Sequence, residues 1–199
     1  MEHAQRTHHA RPARPLLRLA FGGALFVIGL AAASSFIAIG RADERAPQTL
    51  AILPFEIRDT SGEVGAPDTH DAMLAGLTRV MGEKIEGAHL YKVIPQARVA
   101  EAVAAVNPGT FLTNCNGCEL DIGRKAGADQ VMIGWIYKVS TLVGSLHIEI
   151  KNVASGKTTY ARVFDFRGDN ETTWQRAADY MVRTFRKSGG DAQSPPIGQ

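Results

Sequence analysis

The chain has only two cysteines, Cys115 and Cys118. Two thiols cannot complete a zinc site without further ligands, and His70, His89 and His147 are scattered with no metal-ligand spacing. A c-type haem is excluded, because Glu119 stands where the CxxC motif requires histidine. The stretch Ser155-Gly156-Lys157-Thr158 resembles the end of a phosphate loop, but Lys151 occupies the position that needs glycine. There is no nucleophile elbow, no His-rich metal motif and no internal repeat. No cofactor is expected.

Charge is missing from one long stretch. Leu19 to Gly40 carries none over 22 residues. Before it stand Arg6, Arg11, Arg14 and Arg18 against a single acid, Glu2. A basic region, an apolar region and then small residues is the order of a signal peptide. Gly40-Arg41-Ala42 places small residues for a cut between Ala42 and Asp43, and Ala31-Ala32-Ala33 offers an earlier one before Ser34. Retention as an anchor is the rival reading, since 22 helical residues reach about 33 Å, enough to cross a bilayer. Both readings stay open. Either way the arginines keep the N-terminus cytoplasmic and send residue 43 onward outward. No cysteine stands near the leader's end, so a lipid anchor is not expected.

Basic charge is also scarce once the leader is set aside. Residues 1–42 hold five of the 22 lysines and arginines and one of the 20 acids, which leaves 17 against 19, a formal −2. A nucleic-acid binder needs a cationic surface, so nucleic acid is excluded as a partner.

What remains alternates strands with helices. Residues 43–48 read as a linker. Leu50 to Phe55 is a first strand, with Pro54 near its end because proline cannot donate to a ladder. Residues 58–67 read as a polar loop. Asp68 or Thr69 caps a helix whose Leu74, Leu77, Val80, Met81 and Ile85 share a face. Leu90 to Ile94 is a second strand. Pro95 opens a second helix with Val99, Ala102, Val103 and Val106 in a stripe. A third helix runs from Cys118 to Lys125 and stops at Gly127. Val131 to Val139 is apolar on both alternating sets and so reads as a central strand covered on both faces. Gly134 in it marks a close approach by a helix or another backbone. Leu146, Ile148 and Ile150 alternate with His147, Glu149 and Lys151, a strand with one wet face. Residues 154–157 form a hairpin turn, and Thr158 to Phe166 is the return strand. Asp169 or Asn170 caps a last helix through Trp174, Ala178, Met181 and Phe185. Residues 188–199 read as a disordered tail. The order is β-α-β-α-α-β-β-β-α, an α/β (α+β mixed) fold with a sheet of about five strands packed with helices, over residues 49–187.

Several of these segments resemble the TolB N-terminal-like domain. Leu50-Ala51-Ile52-Leu53-Pro54-Phe55 with its polar loop and helix resembles the opening of that domain. Ala126 to Trp135 is similar to its "LGADYVLxG" segment, and Val153-Ala154-Ser155-Gly156-Lys157 to its "D-x-x-T-G" hairpin. Within that group the chain resembles a secreted bacterial family of unknown function whose CxxC precedes this helix and strand. The resemblance covers residues 49–186. It implies a TolB-like fold, a periplasmic location and a non-catalytic interaction or accessory role with another envelope protein as partner. The inner membrane is a second contact, through residues 19–40, if the leader is kept. No catalytic residue carries over. Relatives beside genes for quinoprotein alcohol oxidation imply an alternative, a small-ligand accessory of that metabolism.

The candidate chemistry is limited. In an exported chain Cys115 and Cys118 are expected as a disulfide that staples the entry to the third helix. The alternative is a thiol-redox pair, since a thiolate at that helix N-terminus is stabilised. Glu56, Asp59 and Glu63 in or near the first loop could do acid–base work, but loop acids are commonly surface groups. That loop, residues 56–68, is also where a small ligand would sit at a strand end. His147 is expected on a wet strand face. Asn170-Glu171-Thr172 matches a glycosylation sequon by chance.

Overall fold

The computed structural model describes residues 47–63, 67–109 and 111–188. The leader with its apolar segment 19–40, the cleavage position at Ala42 and Asp43, residues 43–46 and the tail beyond Ser188 lie outside the described residues. The elements are β1 (Thr49–Ile52), β2 (Glu56–Asp59), α1 (Pro67–Gly87), β3 (Lys92–Val93), α2 (Gln96–Val106), a 3-10 turn (Leu112–Asn114), α3 (Cys118–Ala126), β4 (Gln130–Lys138), β5 (Gly144–Asn152), β6 (Thr158–Phe166) and α4 (Glu171–Lys187). One mixed sheet holds all six strands in the order β3-β1-β4-β5-β6, with β2 beside β4 beyond the end of β1. Strands β1 and β2 run parallel to β4, and β5 and β6 follow as antiparallel neighbours.

The expected mixed sheet packed with helices is present, and three details of the expected elements are corrected. The polar loop begins later than expected, because Arg58 and Asp59 belong to β2 and pair with Tyr137 and Lys138. The sheet therefore has six strands. Helix α1 begins at Pro67, upstream of both expected caps. And β4 is central but covered on both faces only over its first half: Val131 and Ile133 are buried, Trp135 is half-buried and Tyr137 is exposed.

The sheet's two faces carry separate cores. Helices α1 and α4 cover one face, where Leu77, Met81, Trp174, Met181 and Phe185 pack on Ile52, Met132, Ile136, Ile148 and Tyr160. Burying a side chain such as Phe185 or Met181 contributes roughly 1.5–3 kcal/mol. Helix α4 starts where the Asn170 side chain accepts the Thr173 N–H. On the other face the shorter α2 and α3 set Val99, Ala102, Ile122 and Ala126 against Ala51, Leu53, Val131 and Val153. They reach only the β1 side of the sheet and the first half of β4.

Pro54 changes which residues face which way. Glu56 comes four positions after Ile52, whereas their partners Met132 and Trp135 are three positions apart. One residue is in excess, as in a bulge. Before it, Leu50 and Ile52 face α1 and α4; after it, Phe55 and Ile57 do. Glu56 and Arg58 are thereby turned to the other face, beyond the reach of α2 and α3.

Candidate interaction face

The uncovered part of that second face is built from the far half of β4 and from β5 and β6. Register places Trp135 beside His147 and His147 beside Val163, with Tyr137, Ser145 and Asp165 in the next row. The Trp135 and His147 rings stack with centroids 4.7 Å apart and planes 17° from parallel. The Tyr137 ring meets His147 edge-on at 6.3 Å. The Arg58 guanidinium also lies over the Trp135 ring, 5.8 Å from its centroid. His147 Nε2 and the Ser145 hydroxyl share a hydrogen bond of 2.9 Å. Burial lowers the His147 pKa, Asp165 opposes that, and Arg58 adds to the lowering.

Exposed large apolar side chains lie along this face and in the β4–β5 connection beyond it. Leu142 is 70% exposed, Tyr137 37%, and Val139, Val143 and Val163 are exposed with them. The β4–β5 connection that carries Leu142 is held in place: Val139 N–H donates to Val143, and Gly168 N–H to Leu142.

The neighbouring CxxC segment braces the row. Both oxygens of Glu56 accept from the 3-10 turn, one from the Leu112 N–H and one from the Thr113 N–H and hydroxyl. That turn in turn accepts from Arg58, through Thr113 Oγ1 at 2.9 Å and the Asn114 side chain. Cys115 and Cys118 then close a disulfide at the start of α3. Glu119, buried next to them, accepts the Gly117 N–H and the Lys151 ammonium at 2.8 Å. Burial opposes the Lys151 charge, and Glu119 and Glu149 raise its pKa over that opposition.

The loop acids noted in the sequence part company. Glu56 clips the 3-10 turn. Asp59 and Glu63 instead meet Lys138, at 3.1 and 3.3 Å, and Asp169 joins them at 3.1 Å. Asp169 also bonds His70 at 3.0 Å, and the His70 ring stacks on Trp174. Lys138 is 3% exposed at the end of β4. Burial disfavours its charge, but bonds to Asp169, Asp59 and Glu63 prevail and raise its pKa. No local pattern marks this cluster, because its members are up to 110 positions apart, from Asp59 to Asp169. Residues 154–157 form the expected hairpin turn, with Gly156 left-handed at φ 69°. A cavity of about 220 Å³ is lined by Pro47, Glu86, His89, Tyr91 and Lys92, at the opposite end of the sheet from residues 56–63. Among the described residues no group of three His, Cys, Asp or Glu side chains could hold a metal ion, and no helix is long and apolar enough to cross a membrane.

A single mixed sheet with two helices on each face, one face partly open, defines an α+β domain. The chain belongs to the family DUF3280, described as "Protein of unknown function (DUF2380)", whose model matches residues 48–185. No curated protein matches it. Its fold is similar to several solved structures at low identity. The C-terminal domain of LpoB from Salmonella enterica is 13% identical, with 60% of this chain and 82% of that one covered at a TM-score of 0.44. Lipoprotein GNA1162 from Neisseria meningitidis is 15% identical over 74% of this chain and 100% of that one, at 0.46. TolB from Acinetobacter baumannii is 12% identical over 72% of this chain and 29% of that one, at 0.43. At such TM-scores none of these likenesses bears on what the chain does.

Proposed function

We propose that this chain is an exported, non-catalytic interaction domain of the bacterial envelope. Its open sheet face binds a partner protein. The observation that carries the reading is the braced row Arg58–Trp135–His147, flanked by exposed Tyr137, Leu142, Val143 and Val163. Aromatic and arginine side chains supply much of the binding energy at protein interfaces, especially where a fold holds them rigid. Export is supported by the arginine-rich and then uncharged order of residues 1–40. A closed Cys115–Cys118 bond also suits an oxidising compartment.

The test is a photoreactive residue placed at Tyr137 in living cells, with exposed Glu83 on α1 as the control position. The expected result is one discrete crosslinked product from position 137 and none from 83. Leu142→Asp should abolish it while leaving the thermal midpoint unchanged. Equal labelling from both positions, or a product indifferent to Leu142→Asp, overturns the reading. A reporter active only outside the cytoplasm, fused after Ser188, tests export.

A further inference from the structure

The sheet ends in a second unfilled feature. Strand β6 is nine residues long and, among the described residues, pairs only with β5. No other backbone hydrogen bond joins Thr158–Phe166 to a described residue. In an antiparallel ladder alternate residues turn their N–H and C=O groups away from the partner, so this edge is a template for one more strand.

The side chains along the edge favour one kind of strand. On the α4 side stands Arg162, whose Nε is out of water with no hydrogen-bond partner among the described residues. Beside it the Phe164 ring meets Tyr180 at 5.7 Å, and the Arg183 guanidinium lies 6.0 Å from the Tyr180 centroid. Tyr180 is 57% exposed. Arg176, Tyr180, Arg183 and Lys187 recur at helical spacing and so share the stripe of α4 that borders β6. None of the four cations Arg162, Arg176, Arg183 and Lys187 forms an ion pair with a described residue. The nearest acids on α4 are engaged, Asp179 by Lys84 and Glu171 by Gln175. On the opposite side of the edge Thr159, Ala161 and Val163 are small or β-branched.

We infer that the β6 edge binds an extended acidic segment of a partner protein by strand addition. Side chains alternate across a strand, so one set of the segment's residues, acidic, meets Arg162, Arg176 and Arg183. The other set, apolar, lies beside Ala161 and Val163. A second copy of this chain does not fit, because pairing β6 with β6 would bring the two cationic stripes together on the same side of the sheet. The inference concerns the β6 edge, which adjoins the open face at Val163 but does not depend on what that face binds.

The experiment uses the full chain in detergent micelles and two labelled decapeptides, one alternating Glu and Val, the other Lys and Val. Fluorescence anisotropy should show the Glu-Val peptide binding at least tenfold more tightly, and added salt should weaken it. Amide exchange should slow in residues 158–166. Arg183→Glu, at an exposed position, should weaken binding several-fold with the thermal midpoint unchanged, and Arg162→Glu with Arg183→Glu should remove the preference. Leu142→Asp should change nothing, which separates this edge from the open face. Equal affinity for the two peptides, or protection outside β6, overturns the inference. So does a peptide-free dimer already protected at β6.

Discussion

Gly134 lies under the ring of Phe55. A Cβ at that position would come 2.2 Å from the Phe55 Cε1. The sequence suggested a close approach by a helix or backbone; a ring is what comes close. The ring is there because the Pro54 bulge turns Phe55 toward α1, where its N–H also finds the Thr78 hydroxyl at 3.0 Å. Gly134→Ala should therefore cost about 1–3 kcal/mol, the usual penalty of overpacking. Phe55→Leu in the same background should cost less than the two changes summed, because the smaller side chain vacates the contested space. Urea unfolding of the four species measures both. A neutral Gly134→Ala would show that the ring moves aside freely.

At the scale of elements, the disulfide holds the junction between the 3-10 turn and α3. It closes a very small loop. Chain-entropy arithmetic for such a loop gives at most about 1.8 kcal/mol. Glu56 and Glu119 grip the same junction independently. Changing both cysteines to serine should thus lower stability by no more than that amount and leave the α3 circular dichroism intact, as urea unfolding with and without reductant will show. A reduction potential below about −300 mV marks a staple, and a higher one a reactive pair. Most elements were legible because each has local cues: Thr158 to Phe166 is dense in β-branched and aromatic residues, and Gly127 stops α3 with φ 72°. The open face was not legible. Trp135 and Tyr137 read as the second half of a strand covered on both faces, and nothing local reveals that α2 and α3 stop short of them. The turning of Arg58 was hidden for a similar reason. It depends on one extra residue near Pro54, which shows only in the register against β4. Lys138 looked like any strand lysine until Asp59, Glu63 and Asp169 were brought to it from three separate segments.

The ionisable groups at these places set how the whole molecule responds to pH. Burial lowers the His147 pKa below its ordinary 6.5, with Asp165 opposing and Arg58 assisting. The unfolded chain then binds more protons at this position, so stability rises with pH up to about 6.5 and is lost as pH falls through the folded value. Asp59 acts further down. Burial pushes its pKa up, but the Ser61 hydroxyl and N–H and the Lys138 ammonium outweigh burial and hold it below 3.8. Its stabilisation is present above the carboxylate range and disappears as pH drops through the lowered value. Lys138 works in the opposite direction. Its carboxylate bonds outweigh burial and raise its pKa, so its stabilisation is full below 10.5 and is lost only as pH rises beyond that. The urea midpoint should therefore hold level from about pH 7 to 10, decline in a first step below about 6.5, and decline again in the carboxylate range. His147→Phe keeps a ring against Trp135 and removes the titration, so it should erase the first step and leave the second. If the first step survives in that variant, some group other than His147 controls it, and proton NMR titration of the remaining imidazoles would identify which.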